Sequence, residues 1–163
     1  NKEFDDYVRR YSLDLTRLCM SLCPCQTDAE DLFQDTWYKA IKGYDTYDSE
    51  KPFDKWLFSI CVNTYKNSLR LAYNKRKLDF KSDEEKEFFI NSVPDTENNS
   101  LDSHIELKKE ILALPKRQKL VIVLHYLKGY SEKEIAEILK IPQGTVKSRL
   151  HSAKKRLKER LSQ

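Results

Sequence analysis

The chain is predicted to be all-α: two small helical domains joined by a flexible acidic linker, with a C-terminal helix-turn-helix. Three observations carry that prediction. Glycines number only three in 163 residues and β-branched alternation is nearly absent, while apolar residues recur three and four apart throughout, the period of a helix with one buried face. Residues 79–102 break this pattern with eight acids against two lysines, Pro94 and an Asn98-Asn99-Ser100 cluster, a composition with little to bury. The charge also divides unevenly, with a balance of +9 over residues 104–163 and −5 over residues 1–103, for a total of +4. A basic C-terminal module fits phosphate binding. The length allows one or two domains with modest cores, here 1–78 and 103–163 flanking the linker 79–102.

A first helix over residues 4–23 follows from the stripe Leu15, Leu18, Cys19, Leu22 and stops at Pro24. The four cysteines, Cys19, Cys23, Cys25 and Cys61, form no C-x-x-C pair and lie far in sequence from His104, His125 and His151. They read as buried, reduced thiols rather than metal ligands, so no metal and no cofactor is expected. Thr27 and Glu30 have the spacing of a capping box, opening a second helix through Asp31, Leu32, Phe33, Trp37 and Ile41 to Gly43. A polar loop over 45–54 follows, with Tyr44, Tyr47, Pro52 and Phe53 in or beside it. A long third helix then carries Trp56, Leu57, Ile60, Cys61 and Leu69 on one side and runs into Lys75-Arg76-Lys77. Trp56 reads as core.

After the linker, Ser103 and Glu106 have capping-box spacing ahead of Ile105, Leu107, Ile111 and Leu112. Leu114-Pro115 breaks that helix, and residues 116–127 make another. Ser131 and Glu134 form a third box, and Gly129 before it suits the left-handed end of the preceding helix. Ile135, Ala136, Ile138, Leu139 and Ile141 supply the apolar face of one short helix, and Val146 with Leu150 that of the next, which Pro142 can open. Lys140 stands in the turn where glycine or asparagine is common. Gln143, Thr145, Lys147, Ser148, Arg149, His151, Ser152, Lys154 and Lys155 point outward. Cations hold phosphates and short polar or bidentate side chains read base edges, so this second helix reads as a DNA recognition helix.

The charged start and the lack of a long apolar run predict a soluble, cytoplasmic protein without a signal peptide. No phosphate-cradling loop, nucleophile elbow or metal cluster is present in the sequence, and no enzymatic activity is expected.

With its modules in this order, the chain resembles a bacterial extracytoplasmic-function sigma factor of the sigma-70 family. The resemblance rests on Ala29-Glu30-Asp31-Leu32-Phe33-Gln34-Asp35-Thr36-Trp37, on Phe53-Asp54-Lys55-Trp56-Leu57-Phe58-Ser59-Ile60-Cys61-Val62-Asn63-Thr64, on Leu114-Pro115-Lys116-Arg117-Gln118 and on Gly144-Thr145-Val146-Lys147-Ser148-Arg149-Leu150. It implies binding to core RNA polymerase at its clamp helices and flap, recognition of the -35 and -10 promoter elements, and help in opening the duplex. It also implies an anti-sigma factor, often membrane-anchored in the family, which would hold the protein at the inner face of the membrane.

The resemblance assigns polymerase docking to the helix containing Asp31, Gln34 and Asp35, which fall at i, i+3 and i+4 on one strip. A strip of this kind is also compatible with plain solvated surface. Asn63, Lys66, Asn67 and Arg70 share one face of the third helix, where cations follow a strand and amides pair with an unstacked base. The resemblance implies that Asn63 and the preceding loop receive a flipped base of the -10 element. The loop aromatics either stack on that base or pack on the domain. Thr145, Lys147, Ser148, Arg149, His151 and Ser152 are candidates for -35 reading, with Lys154, Lys155 and Arg156 on phosphates. Ser152 stands where relatives often carry a basic residue and His151 where an aromatic is frequent, departures that bear on promoter sequence rather than on role. The acidic linker either mimics RNA in a cationic exit path or is a solvated tether. The alternative readings are a stand-alone dimeric helix-turn-helix regulator, which would bind duplex DNA unaided, and a metal-using DNA-processing enzyme, which the residue spacing disfavours.

Overall fold

The computed structural model describes residues 1–76 and 101–162, with side chains described over 1–68 and 105–162. The acidic segment 79–100, Lys77 and the side chains of Leu69, Arg70, Lys75 and Arg76 lie outside the described residues. Every regular element among the described residues is helical.

Helix α1 spans Lys2–Leu22. Asn1 caps it, its side chain accepting the Glu3 N–H at 3.1 Å, and Glu3 and Asp5 in the first turn suit the positive end of the helix dipole. The stripe Leu15, Leu18, Cys19, Leu22 is buried as its spacing predicts. Each buried leucine contributes about 1.5–3 kcal/mol of apolar transfer free energy.

Helix α2 spans Gln26–Gly43, and its N-cap is Cys25, not Thr27. Cys25 is extended and buried, which fixes the chain entry two residues before the threonine. Thr27 therefore sits inside the first turn without a capping role. Glu30 accepts a hydrogen bond from the Gln26 side chain instead, at 2.9 Å. Ile41, near the end of this helix, is 58% exposed.

A single 3₁₀ turn, Tyr44–Thr46, leads into the loop and then helix α3, Phe53–Arg76. The loop aromatics pack on the module. Phe53 stacks on Tyr7 with ring centroids 4.0 Å apart, Tyr44 meets Phe4 edge-on at 5.2 Å, and Tyr47 lies 4.9 Å from Trp56. Trp56 is only half-buried, covering the rim of the core rather than filling it.

The second module begins with helix α4, Leu101–Leu112. It starts two residues before the expected cap, so Ser103 lies within its first turn, and Leu107 turns outward. Helix α5, Lys116–Ile122, is capped by Pro115 and widens into a π-helical turn over Val123–Leu127. Gly129 then takes a left-handed conformation, φ 75°, which lets the Tyr130 N–H reach back to the Leu124 carbonyl at 3.1 Å.

Helix α6, Glu132–Leu139, has the expected capping box, with Ser131 and Glu134 satisfying one another's backbone N–H groups. Lys140 ends it in the left-handed region at φ 56°, ψ 48°. Helix α7, Gln143–Leu161, follows with Pro142 at its N-cap rather than in its first turn. Ile135, Ile138, Leu139, Val146, Leu150 and Ala153 are buried between α6 and α7.

The modules do not stand apart. One continuous hydrophobic cluster runs through both, with α3 packed on α6, and α1 packed on α4 and on the π-helical turn.

Candidate nucleic-acid interface

The geometry of α7 follows from which residues it buries. Val146, Leu150 and Ala153 form the buried stripe, and at 3.6 residues per turn Ser148, Ser152 and Lys155 fall opposite it. All three are exposed. Thr145 and Arg149 lie on one flank and are half-buried, whereas Lys147, His151 and Lys154 are exposed toward the other. The Lys154 ammonium sits over the Tyr126 ring, 5.4 Å from its centroid, and Tyr126 itself is 55% exposed on the π-helical turn.

On the first module, Asn63 and Asn67 of α3 are exposed and Lys66 is half-buried between them. The side chain of Arg70, the fourth member of that predicted face, lies outside the described residues. Burial, together with the charges of Lys116, Arg149 and Arg117, pushes the Lys66 ammonium below its ordinary pKa. The helix that carries Lys66, α3, packs on α6, the partner helix of α7.

Lys116 and Arg117 are the residues that sequence reasoning left without a role. Their signal was present: both stand in the first turn of α5, the positive end of a helix dipole, where cations are disfavoured.

Helix α2 presents Asp31, Gln34 and Asp35 to solvent, while Leu32 is buried and Phe33 half-buried beneath them. The exposed strip continues as Tyr38 and Ile41, 57% and 58% exposed, with the Lys42 ammonium 4.5 Å from the Tyr38 ring centroid.

The four thiols take no part in either face. All are buried, and Cys19 and Cys61 lie 3.9 Å apart between α1 and α3. The hydrogen bond with Cys61, reinforced by burial, pushes the Cys19 thiol far up, and burial does the same to Cys23. No group of acids, histidines and cysteines that could hold a metal occurs among the described residues. Among those residues, too, no helix is long and apolar enough to cross a membrane.

The chain matches the family model of sigma-70 region 2 over residues 7–74 and that of sigma-70, region 4 over residues 104–157. Among curated relatives, it is 31% identical to the ECF RNA polymerase sigma factor SigW of Bacillus subtilis, over 97% of this chain and 88% of that one. It is equally identical, 31%, to the ECF RNA polymerase sigma-E factor of Escherichia coli K12, over 94% and 83% of the two chains. Among solved structures, it resembles the sigma factor RpoE in complex with the anti-sigma factor NepR from Bartonella quintana, with a TM-score of 0.82 and 27% identity over 99% of this chain and 98% of that one. It also resembles CnrH in complex with the cytosolic domain of CnrY, with a TM-score of 0.72 and 25% identity over 99% and 90%.

Proposed function

Since this chain belongs to the sigma-70 family, as an extracytoplasmic-function RNA polymerase sigma factor, we propose how its surfaces divide the work. The first module, 1–78, docks on core polymerase through Asp31, Gln34 and Asp35, extended by Tyr38 and Ile41. The same module captures the -10 element through Asn63, Lys66, Asn67 and Arg70. The second module, 103–163, reads the -35 element with Thr145, Lys147, Ser148, Arg149, His151 and Ser152, while Lys154 and Lys155 hold phosphates. The segment 79–102 joins them.

The observation that carries this reading is α7: a helix anchored by one buried stripe on a capped partner helix, with hydroxyls and cations around the rest of its circumference. Packing of the loop aromatics on the module leaves the polar side chains of α3 as the better candidates for base capture. Promoter opening on this reading is binding, not catalysis. A separated strand held more tightly than the duplex shifts the equilibrium, and capture of one extruded base offsets a few kcal/mol of unstacking.

One solved structure of this fold is a sigma factor in complex with an anti-sigma factor, which supports an anti-sigma factor as a partner here too. Such an inhibitor would hold the protein inactive within the cytoplasm, at the inner face of the membrane if the inhibitor is anchored there, until it is released.

In vitro transcription with purified core polymerase and genomic DNA tests the reading. Discrete start sites preceded by a shared pair of elements, dependent on added chain, are the expected result. Specific duplex binding by the chain alone, with no chain-dependent transcripts, would favour the stand-alone regulator.

A further inference from the structure

We propose that Tyr126, on the π-helical turn and outside the recognition helix, is a positioning residue for the -35 interface: its ring holds the Lys154 ammonium ready for a backbone phosphate before DNA arrives, a role that rests on the phosphate contact assigned to Lys154 above.

Tyr126 stands where the chain leaves the core. Residues 120–124 are all buried, His125 is half-buried, and Tyr126 and Leu127 are 55% and 53% exposed. Helix α5 packs on α7, and the π-helical turn continues α5. The contact with Lys154 places the emerging ring beside α7 rather than beneath it.

The ring is braced from behind. His125 meets it edge-on, with ring centroids 4.8 Å apart and planes at 84°. The His125 Nδ1 lies 2.9 Å from the Tyr130 carbonyl, and since a carbonyl only accepts, Nδ1 is the donor, which fixes the imidazole. Tyr130 is buried, and its own N–H reaches the Leu124 carbonyl across the left-handed Gly129. From the buried turn outward, a hydrogen bond orients His125, His125 backs Tyr126, and Tyr126 faces Lys154.

Lys147, His151 and Lys154 fall at i, i+4 and i+7 on one flank of α7, with Lys154 in the turn past the proposed base readers. Its ammonium is 5.4 Å from the Tyr126 ring centroid, within the range over which a ring face attracts a cation. Among the described residues, no other cation of α7 lies over a ring. An exposed lysine loses much rotamer freedom when it is fixed on a ligand. One already held over a ring has lost part of that freedom beforehand, so less affinity is spent in binding. The ring covers one side of the ammonium, which has three N–H donors, and donors remain for a phosphate oxygen. The phenol is also uncharged. A carboxylate in its place would fix the ammonium but cancel the charge that phosphate binding uses.

Competition binding of the reconstituted polymerase complex to fragments with intact or scrambled -35 sequence, from about 50 to 200 mM salt, tests the role. Lys154→Ala should weaken both fragments alike and reduce the salt slope by about 0.9. Tyr126→Leu should weaken both about two- to fivefold, the worth of an exposed cation–ring contact, with helix content unchanged by circular dichroism. Tyr126→Phe keeps the ring face and should bind like wild type, and Tyr126→Trp, the best face for a cation, at least as well. In the Lys154→Ala background, Tyr126→Leu should cost nothing further, because the ring acts through the ammonium.

Wild-type binding by Tyr126→Leu, while Lys154→Ala is weakened, overturns the positioning role and leaves the phosphate contact standing. An equal loss from Tyr126→Leu with and without Lys154 overturns it too. So does a Tyr126→Phe variant as weak as Tyr126→Leu, which would make the hydroxyl itself the phosphate donor. If leucine lowers the helix content, Tyr126→Gln takes its place with the same outcomes. A neutral Lys154→Ala marks failure of the phosphate assignment itself, and the positioning role falls with it.

Discussion

The recognition helix allows a prediction that separates reading from holding. A major groove is about 12 Å wide, and the proposed readers from Thr145 to Ser152 span about 11 Å of the axis of α7 at about 1.5 Å rise per residue, so this stretch fits among base edges. Lys155 is about 18 Å along the axis from Gln143 at the same rise, beyond the groove and over the backbone. Arg149→Ala should cost about 1–3 kcal/mol, or about 5- to 150-fold, on a matched -35 element and little on a scrambled one. Lys155→Ala should weaken both equally and reduce the slope of log affinity against log salt by about 0.9, the loss of one phosphate contact. The assay is competition binding of the reconstituted polymerase complex to promoter fragments with intact or scrambled -35 sequence, from about 50 to 200 mM salt. If Arg149→Ala lowers affinity for both fragments alike, or Lys155→Ala discriminates between them, the placement of α7 in the groove is wrong.

Lys140, the non-glycine residue with left-handed backbone among the described residues, pays about 1–2 kcal/mol for that conformation. Lys140→Gly should therefore raise stability by about 1 kcal/mol in urea titration, after the entropy cost of glycine, whereas Lys140→Ala should not. Hydrogen bonding from the Ser131 backbone N–H, with the Ser131 hydroxyl and Lys55 nearby, holds the Glu134 carboxyl below its ordinary value of 4.5. Its stabilisation is present above that value and lost as pH falls through the lower folded value, so Glu134→Gln should flatten the acid limb of a stability-against-pH profile. The buried thiols, with Cys19 and Cys23 pushed upward, should resist alkylation at pH 8 in the native chain and react at the rate of unfolding in denaturant. Tyr38→Ala with Asp35→Ala should weaken association with core polymerase by about tenfold in a binding titration while helix content holds, as expected for an exposed interface anchor and its neighbour.

Much of the fold was legible because helical periodicity is a local signal. The stripe of α1 and the Val146–Leu150 pair of α7 followed directly from spacing, and Ser131 with Glu134 capped the helix they were expected to cap. The same capping pattern misled at Thr27 and Ser103, where helices begin earlier than the pattern implies. At Cys25 the reason is physical: burial of the cysteine next to Pro24 fixes where the chain turns, and a side-chain cap two residues later has nothing to satisfy. Ile41 and Leu107 show the converse limit. Both are apolar residues on amphipathic helices, yet exposure is set by what packs across from them, and spacing alone does not say which apolar residues find a partner.

The candidate site was legible only one module at a time. Outward residues of α7 and α3 could be named from the helix that carries each, but the charges that lower the Lys66 pKa come from the other module and depend on how α3 packs on α6. Lys119 is the sharper case. A lysine within Lys116-Arg117-Gln118-Lys119 reads as solvated surface, and only a helix end 97 residues away in the chain turns it into a buried donor. Long-range polar pairing has no periodicity to betray it. A buried lysine is stable only with its partner in place, so Lys119 is committed to a single mutual arrangement of the modules, whereas the cations of α7 are free to meet phosphate in any. Basic residues that look alike in composition thus divide by burial, Lys119 into the contact between the modules and Lys147, Lys154 and Lys155 into solvent.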